Sequence, residues 1–135
     1  MTARPALLLM LSMLVLPAAR AAPPPAAQVE IDYLLAHVGA SGCEFYRNGS
    51  WYDGPRAQAH LRTKYDYLAA RNLVRSAEDF IDKAATKSSL SGQPYQIRCA
   101  GYAAVASNQW LRDALARYRV QTGSPPTSGP TRPDP

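Results

Sequence analysis

The chain is poor in the residues on which most site chemistries depend. Only two cysteines and two histidines occur among 135 residues. Cys43 and Cys99 lie too far apart for a Cys-x-x-Cys redox pair. His37 and His60 fall on different predicted helices, and the carboxylates show no ligand spacing, so no metal site is expected. Neither a G-x-S-x-G nor an S-x-x-K pattern is present, which removes the two common serine-nucleophile templates. No cofactor motif occurs, and no cofactor is expected. Proline is almost missing from the middle of the chain. Of twelve prolines, only Pro55 and Pro94 lie between residues 28 and 121. The foldable stretch is therefore one small domain of modest core, which excludes a multidomain enzyme, a repeat array and a coiled coil.

The prolines at the two ends mark different things. Residues 1–21 read as a secretory signal peptide. Arg4 gives a short positive region, residues 6–16 are apolar but for Ser12, and Ala19-Arg20-Ala21 fits a small-x-small cleavage site. Eleven residues at a rise of ~1.5 Å are too short for a ~30 Å hydrocarbon core, so no stable membrane span is expected after cleavage. Residues 22–27, with Pro23, Pro24 and Pro25, read as an extended lead-in to a domain over 28–121. Residues 122–135 hold five prolines, two glycines and no aromatic residue, and read as a disordered tail.

Charge is similarly uneven. The formal net charge is +5. Removing residues 1–21 removes Arg4 and Arg20 and no acid, leaving 13 basic and 10 acidic side chains, a net of +3. That mild excess is spread along the chain with no basic stripe, so nucleic acid is not an expected partner. An exported chain meets an oxidising compartment, and an even cysteine count there predicts a Cys43–Cys99 disulfide. Periplasmic or secreted localisation follows from the leader.

Within the foldable part the patterns are local and clear. Ile31, Leu34, Leu35 and Val38 mark a first helix, with Gly39 as its expected C-cap. Asn48-Gly49 is the preferred type I′ turn dipeptide, predicting a hairpin over residues 43–52. A two-residue loop pairs Phe45 with Tyr52 and Tyr46 with Trp51. Cys43, Phe45 and Tyr52 then face the core, while Glu44, Tyr46 and Trp51 face away. Asn48-Gly49-Ser50 also matches a glycosylation acceptor, which the turn explains without a sugar. Asp53 caps a second helix with Pro55 in its first turn and Ala57, Leu61, Tyr65 and Leu68 as its stripe. Ser76 opens a short third helix over residues 77–86 that buries Phe80 and Ile81. Residues 87–94 form a loop, and Tyr95, Ile97 and Cys99 share one face of a strand. A short strand near residues 102–105 precedes a last helix, capped by Ser107 or Asn108, with Leu111, Leu115 and Tyr118 buried. The expected architecture is α+β: a small antiparallel sheet, the hairpin plus one or two strands, packed with about four helices and stapled by one disulfide.

Several separated blocks form a more specific signature. They are Cys43-Glu44-Phe45-Tyr46-Arg47-Asn48-Gly49, His60-Leu61-Arg62-Thr63-Lys64-Tyr65, Ala77-Glu78-Asp79-Phe80-Ile81-Asp82, the run from Thr86 through Tyr95 to Cys99, and Trp110-Leu111. In that order and spacing the sequence resembles a family of short exported bacterial proteins catalogued only as a domain of unknown function. The resemblance covers roughly residues 28–119. It implies a bacterial periplasmic or secreted protein and brings no activity, cofactor or catalytic residue.

Three groups of side chains are candidate sites. His60 and Lys64 share a helix face one turn apart, beside Tyr65, and a base next to a cation suits acid–base chemistry. The same residues also fit an exposed polar edge. Lys87, Ser88, Ser89 and Ser91 form a hydroxyl-rich loop suited to an anion or a sugar, or simply a solvated turn. Tyr46 and Trp51 suit stacking on a saccharide or anchoring a protein, unless a helix covers them. With no nucleophile, base and orienting group in view, the favoured expectation is a non-catalytic envelope protein that binds a partner protein or cell-wall saccharide. The alternatives are a small hydrolase or transferase using His60 with Lys64 or a loop serine, and an inhibitor of an exported enzyme.

Overall fold

The Asn48-Gly49 dipeptide sets the sheet. Asn48 and Gly49 both take positive φ, 48° and 87°, which a type I′ turn demands. The turn joins β1 (Glu44–Arg47) to β2 (Ser50–Asp53) in the register Phe45↔Tyr52 and Tyr46↔Trp51, as the loop length predicts. These features come from a computed structural model that describes residues 23–124. The expected leader and nearly all of the expected tail lie outside the described residues.

The chain runs α1 (Pro25–Ala40), β1, β2, α2 (Gly54–Ala69), α3 (Ala77–Ala84), β3 (Gln96–Arg98), β4 (Val105–Ala106) and α4 (Ser107–Thr122). The four strands form one antiparallel sheet in the order β2-β1-β3-β4. Phe45 and Ile97, paired across β1 and β3, point into the core, while Glu44 and Arg98 on the same strands are exposed. The expected α+β fold with four helices and two strands beyond the hairpin is therefore what the chain adopts. A Cys43–Cys99 disulfide sits immediately beyond the Glu44↔Arg98 pair, a covalent rung at the end of the β1–β3 ladder.

The core draws on every helix. Ile31, Leu34, Leu35 and Val38 from α1, Phe80 and Ile81 from α3, and Leu111 and Ala114 from α4 are fully buried. Asp53 accepts the Arg56 backbone N–H at 3.0 Å and caps α2 as expected. Ser76 accepts the Asp79 N–H at 3.0 Å, while the Asp79 carboxylate accepts from Arg75 N–H rather than from the cap residue itself. A run of rings joins α4, α1 and the sheet. Tyr118 stacks on Tyr33 at 4.2 Å, His37 stacks on Trp110 at 4.6 Å, and Trp110 meets Phe45 edge-on. Tyr118 is thus only half-buried, in a stack rather than in the core.

Five local readings need correction. Helix α1 begins at Pro25, so residues 25–27 are helical rather than an extended lead-in; Pro suits the first helical position because its fixed φ is already helical. Gly39 is not a C-cap, since α1 runs on to Ala40. It lies where α1 approaches α2, and a Cβ there would fall 2.0 Å from Gln58 Oε1. Neither Ser107 nor Asn108 caps α4: the N-cap position is Ala106, without a side-chain bond. The helix extends to Thr122, and Gly123 in the left-handed conformation ends it. The third helix stops at Ala84, two residues early, and Thr86 donates its hydroxyl back to Ile81 O at 2.8 Å.

Candidate functional site

The core-facing side of the hairpin ends in a charge. Alternation puts Arg47 on the same side as Cys43 and Phe45, and the tight turn leaves it at the tip, over the start of α2. There Arg47 Nη1 lies 2.6 Å from His60 Nδ1. An arginine can only donate, so Nδ1 is the acceptor and the ring proton resides on Nε2. Nε2–H then donates to the Tyr95 hydroxyl oxygen at 3.1 Å. Lys64, one turn along α2, donates to the same oxygen at 3.2 Å and to Lys87 O at 2.9 Å. Both imidazole nitrogens are thus engaged. Burial, then the nearby charges of Arg47 and Lys64, holds the His60 pKa down at about 4. At neutral pH the ring is uncharged. Burial and the Arg47 charge also lower the Lys64 pKa, and burial raises that of Tyr95 against the pull of Arg47.

This cluster borders a cleft of about 270 Å³ between the hairpin and α2. Phe45, Tyr52, Leu61 and Tyr95 contribute apolar and aromatic surface; Arg47 and Arg56 are the charged residues of its lining. The two guanidinium carbons lie 4.7 and 5.1 Å from the centroid of the Tyr52 ring. Lys64 Nζ lies 4.9 Å from the centroid of the Tyr95 ring.

The expected His60–Lys64 pairing along one helix face is therefore present, with both side chains meeting at Tyr95. The serine loop is a separate feature. Ser88 is buried and accepts the N–H groups of Leu90 and Ser91, closing a tight turn. Ser91 donates to Asn48 Oδ1 at 2.6 Å, which ties the loop to the hairpin tip. Ser89 and Lys87 are exposed. Among the described residues, no serine hydrogen-bonds to His60. Tyr46 and Trp51 are half-buried and pack on each other edge-to-face at 5.3 Å. The Arg98 guanidinium lies 3.9 Å from the Trp51 ring and is held by Glu44 at 2.8 Å, while Tyr46 also borders the cleft. His37 stands apart, in the aromatic stack, with its buried Nε2 lacking a partner among the described residues.

Sequence reading missed Arg47, Arg56, Tyr52 and Tyr95 as site residues. One signal was available: a charge at a position that alternation assigns to the core side of a hairpin. Tyr95 carried no comparable mark, because a strand aromatic beside Ile97 reads as core.

No solved structure matches this chain. It is 45% identical over 51 residues to the uncharacterised protein YfeK of Salmonella typhimurium, a match covering 38% of this chain and 41% of that protein. Residues 25–119 match a family of unknown function, DUF5329. That span holds every element of the fold up to the last turn of α4, and the chain belongs to this family.

Proposed function

We propose that this domain is a non-catalytic binding protein of the bacterial cell envelope or the secreted space, and that its ligand occupies the cleft between the hairpin and α2. The state of His60 carries this reading. A general base for neutral pH needs a pKa near that pH and a nitrogen aimed at the reacting proton. His60 sits near 4, with Arg47 on one nitrogen and Tyr95 on the other. A charged orienting group is present, but it is a cation, which opposes imidazolium formation rather than supporting it. A preorganised, partly apolar cleft with a few fixed polar groups is a binding geometry. The disulfide and the export-type leader expected at residues 1–21 support the compartment. The Tyr46–Trp51 face, next to the same cleft, would extend the contact to a saccharide or an envelope protein.

Chemical-shift mapping tests this on the oxidised, leader-free chain, using a set of neutral and charged one-ring compounds together with cell-wall sugars. Support is a set of perturbations centred on Arg47, Tyr52, His60 and Tyr95 by at least one compound. The reading fails if no compound perturbs the cleft. It also fails if one of them is turned over by the wild type and not by His60→Ala.

A further inference from the structure

The cleft has an unusual charge arrangement. Arg62, Lys83, Arg98, Arg112 and Arg119 each face a carboxylate. Arg47, Arg56 and Lys64 form no ion pair among the described residues, and neither do Arg71, Arg75, Lys87 and Arg117; what sets the first three apart is that they gather at one place. The two arginines converge on one tyrosine ring, and Arg47 and Lys64 flank one histidine. Asp53, the acid nearest to Arg56 in sequence, is engaged by the Arg56 backbone N–H. Like charges held close together repel, and where water is partly excluded, as around half-buried Arg47 and Lys64, a folded chain keeps them so at a cost in stability. A bound anion removes that cost. Arg47 engages His60 and the Tyr52 side chain and, with five N–H donors in a planar fork, keeps others for a ligand. The Tyr95 oxygen accepts from both His60 and Lys64, so its own hydroxyl proton is left to donate. The rest of the lining is apolar or aromatic, and a volume of about 270 Å³ lies below the range for drug-sized molecules.

We infer that the cleft takes a small organic anion: one carboxylate or similar acid group, gripped by Arg47 and Arg56, on a single ring that packs against Phe45, Tyr52 and Leu61. The inference rests on the cleft being a ligand site. It adds the sign of the charge and the size of the body attached to it.

The test compares benzoate, its neutral analogue benzamide and inorganic phosphate on the oxidised, leader-free chain, by chemical-shift titration. Benzoate is expected to saturate the cleft at about tenfold lower concentration than benzamide, because a charge-assisted fork contact replaces a neutral one. Arg56→Gln, at an exposed position, should cut benzoate binding by about five- to tenfold with the spectrum otherwise unchanged; Arg47→Gln should weaken benzoate by as much and also move the His60 signals, because it removes the donor to Nδ1. A second readout is the titration of His60. An anion beside Arg47 weakens the positive field on the imidazole, so the His60 midpoint should rise from about 4 with benzoate and stay in place with benzamide. Equal binding of benzamide and benzoate overturns the inference while leaving the cleft a ligand site. Phosphate binding as tightly as benzoate overturns the organic half of it. If none of the three probes nor any neutral compound reaches the cleft, the binding reading itself fails.

Discussion

Arg47 Nη1 and His60 Nδ1 stand 2.6 Å apart, a permanent cation donating to an imidazole that must stay neutral to accept. The pair makes stability depend on pH in a defined window. In the unfolded chain His60 titrates near 6.5; in the folded chain near 4. Between those values the unfolded state binds more protons, so stability falls as pH drops from 6.5 towards 4 and is fully present above that window. After allowance for solvent screening at a half-buried site the loss is about 1–2 kcal/mol. His60→Gln keeps an acceptor for Arg47 and a donor for Tyr95 without titrating. Urea melts at a series of pH values should show a flatter slope between 6.5 and 4 for the variant; parallel curves would assign the slope to other groups.

The disulfide joins strands that are already neighbours, closing a sequence separation of 56. In the chain-entropy model a loop of this length stabilises by about 4 kcal/mol, a large part of a small domain's total. Reduction should lower the melting temperature sharply, and Cys43→Ser with Cys99→Ser should reproduce it without reductant. A melting curve indifferent to reductant, after both sulfurs have been shown to be oxidised, contradicts this.

Gly39 and Gly54 meet where α1 crosses the start of α2, but they differ in what surrounds them. A Cβ at Gly54 would lie 2.6 Å from Val38 O and 3.0 Å from Gly39 O, both backbone atoms that cannot move alone. Gly54→Ala should therefore cost about 1–3 kcal/mol through forced separation of the helices. A Cβ at Gly39 meets the end of the Gln58 side chain, which can swing away. Gly39→Ala should cost less, and the ranking can be read from paired denaturant melts.

Arg119 ties three helices. Its Nε and Nη2 donate to both Glu30 carboxylate oxygens at 2.6 and 3.0 Å, and Nη1 donates to Glu78 at 2.5 Å. The Arg119 and Glu30 side chains are only 12% and 11% exposed. Burial works to raise the Glu78 pKa, but the bonds and charge of Arg119 outweigh it and the net shift is downward. Removing the arginine leaves two carboxylates without their cation, so Arg119→Gln should destabilise by about 3–5 kcal/mol at neutral pH. The defect should shrink in acid, where protonation neutralises Glu78. Thermal melts of wild type and variant at pH 7 and pH 4 decide it; a constant gap would mean lost packing alone.

The parts of this protein that were legible in sequence are those with short-range causes. The hairpin register follows from Asn48-Gly49 and a period of two. The caps at Asp53 and Ser76 follow from one side chain reaching a backbone N–H three residues on. The disulfide follows from compartment and parity. The misread ends of α1 and α4 have an opposite cause. Pro25 and Ser107 sit at positions where a proline or a serine suits either side of a helix boundary, and the choice went to packing: Ala27 and Ser107 are buried against the rest of the chain.

What the sequence determined by itself is the kind of fold and its covalent staple, because turn chemistry, alternation and helical stripes act over a few residues. What only the tertiary structure decided is the site. His60 meets Arg47 across 13 positions and Tyr95 across 35, and Arg119 meets Glu30 across 89. Such meetings depend on how α2 docks on the hairpin and α4 on α1. That docking is the summed result of core packing, and no local pattern encodes it.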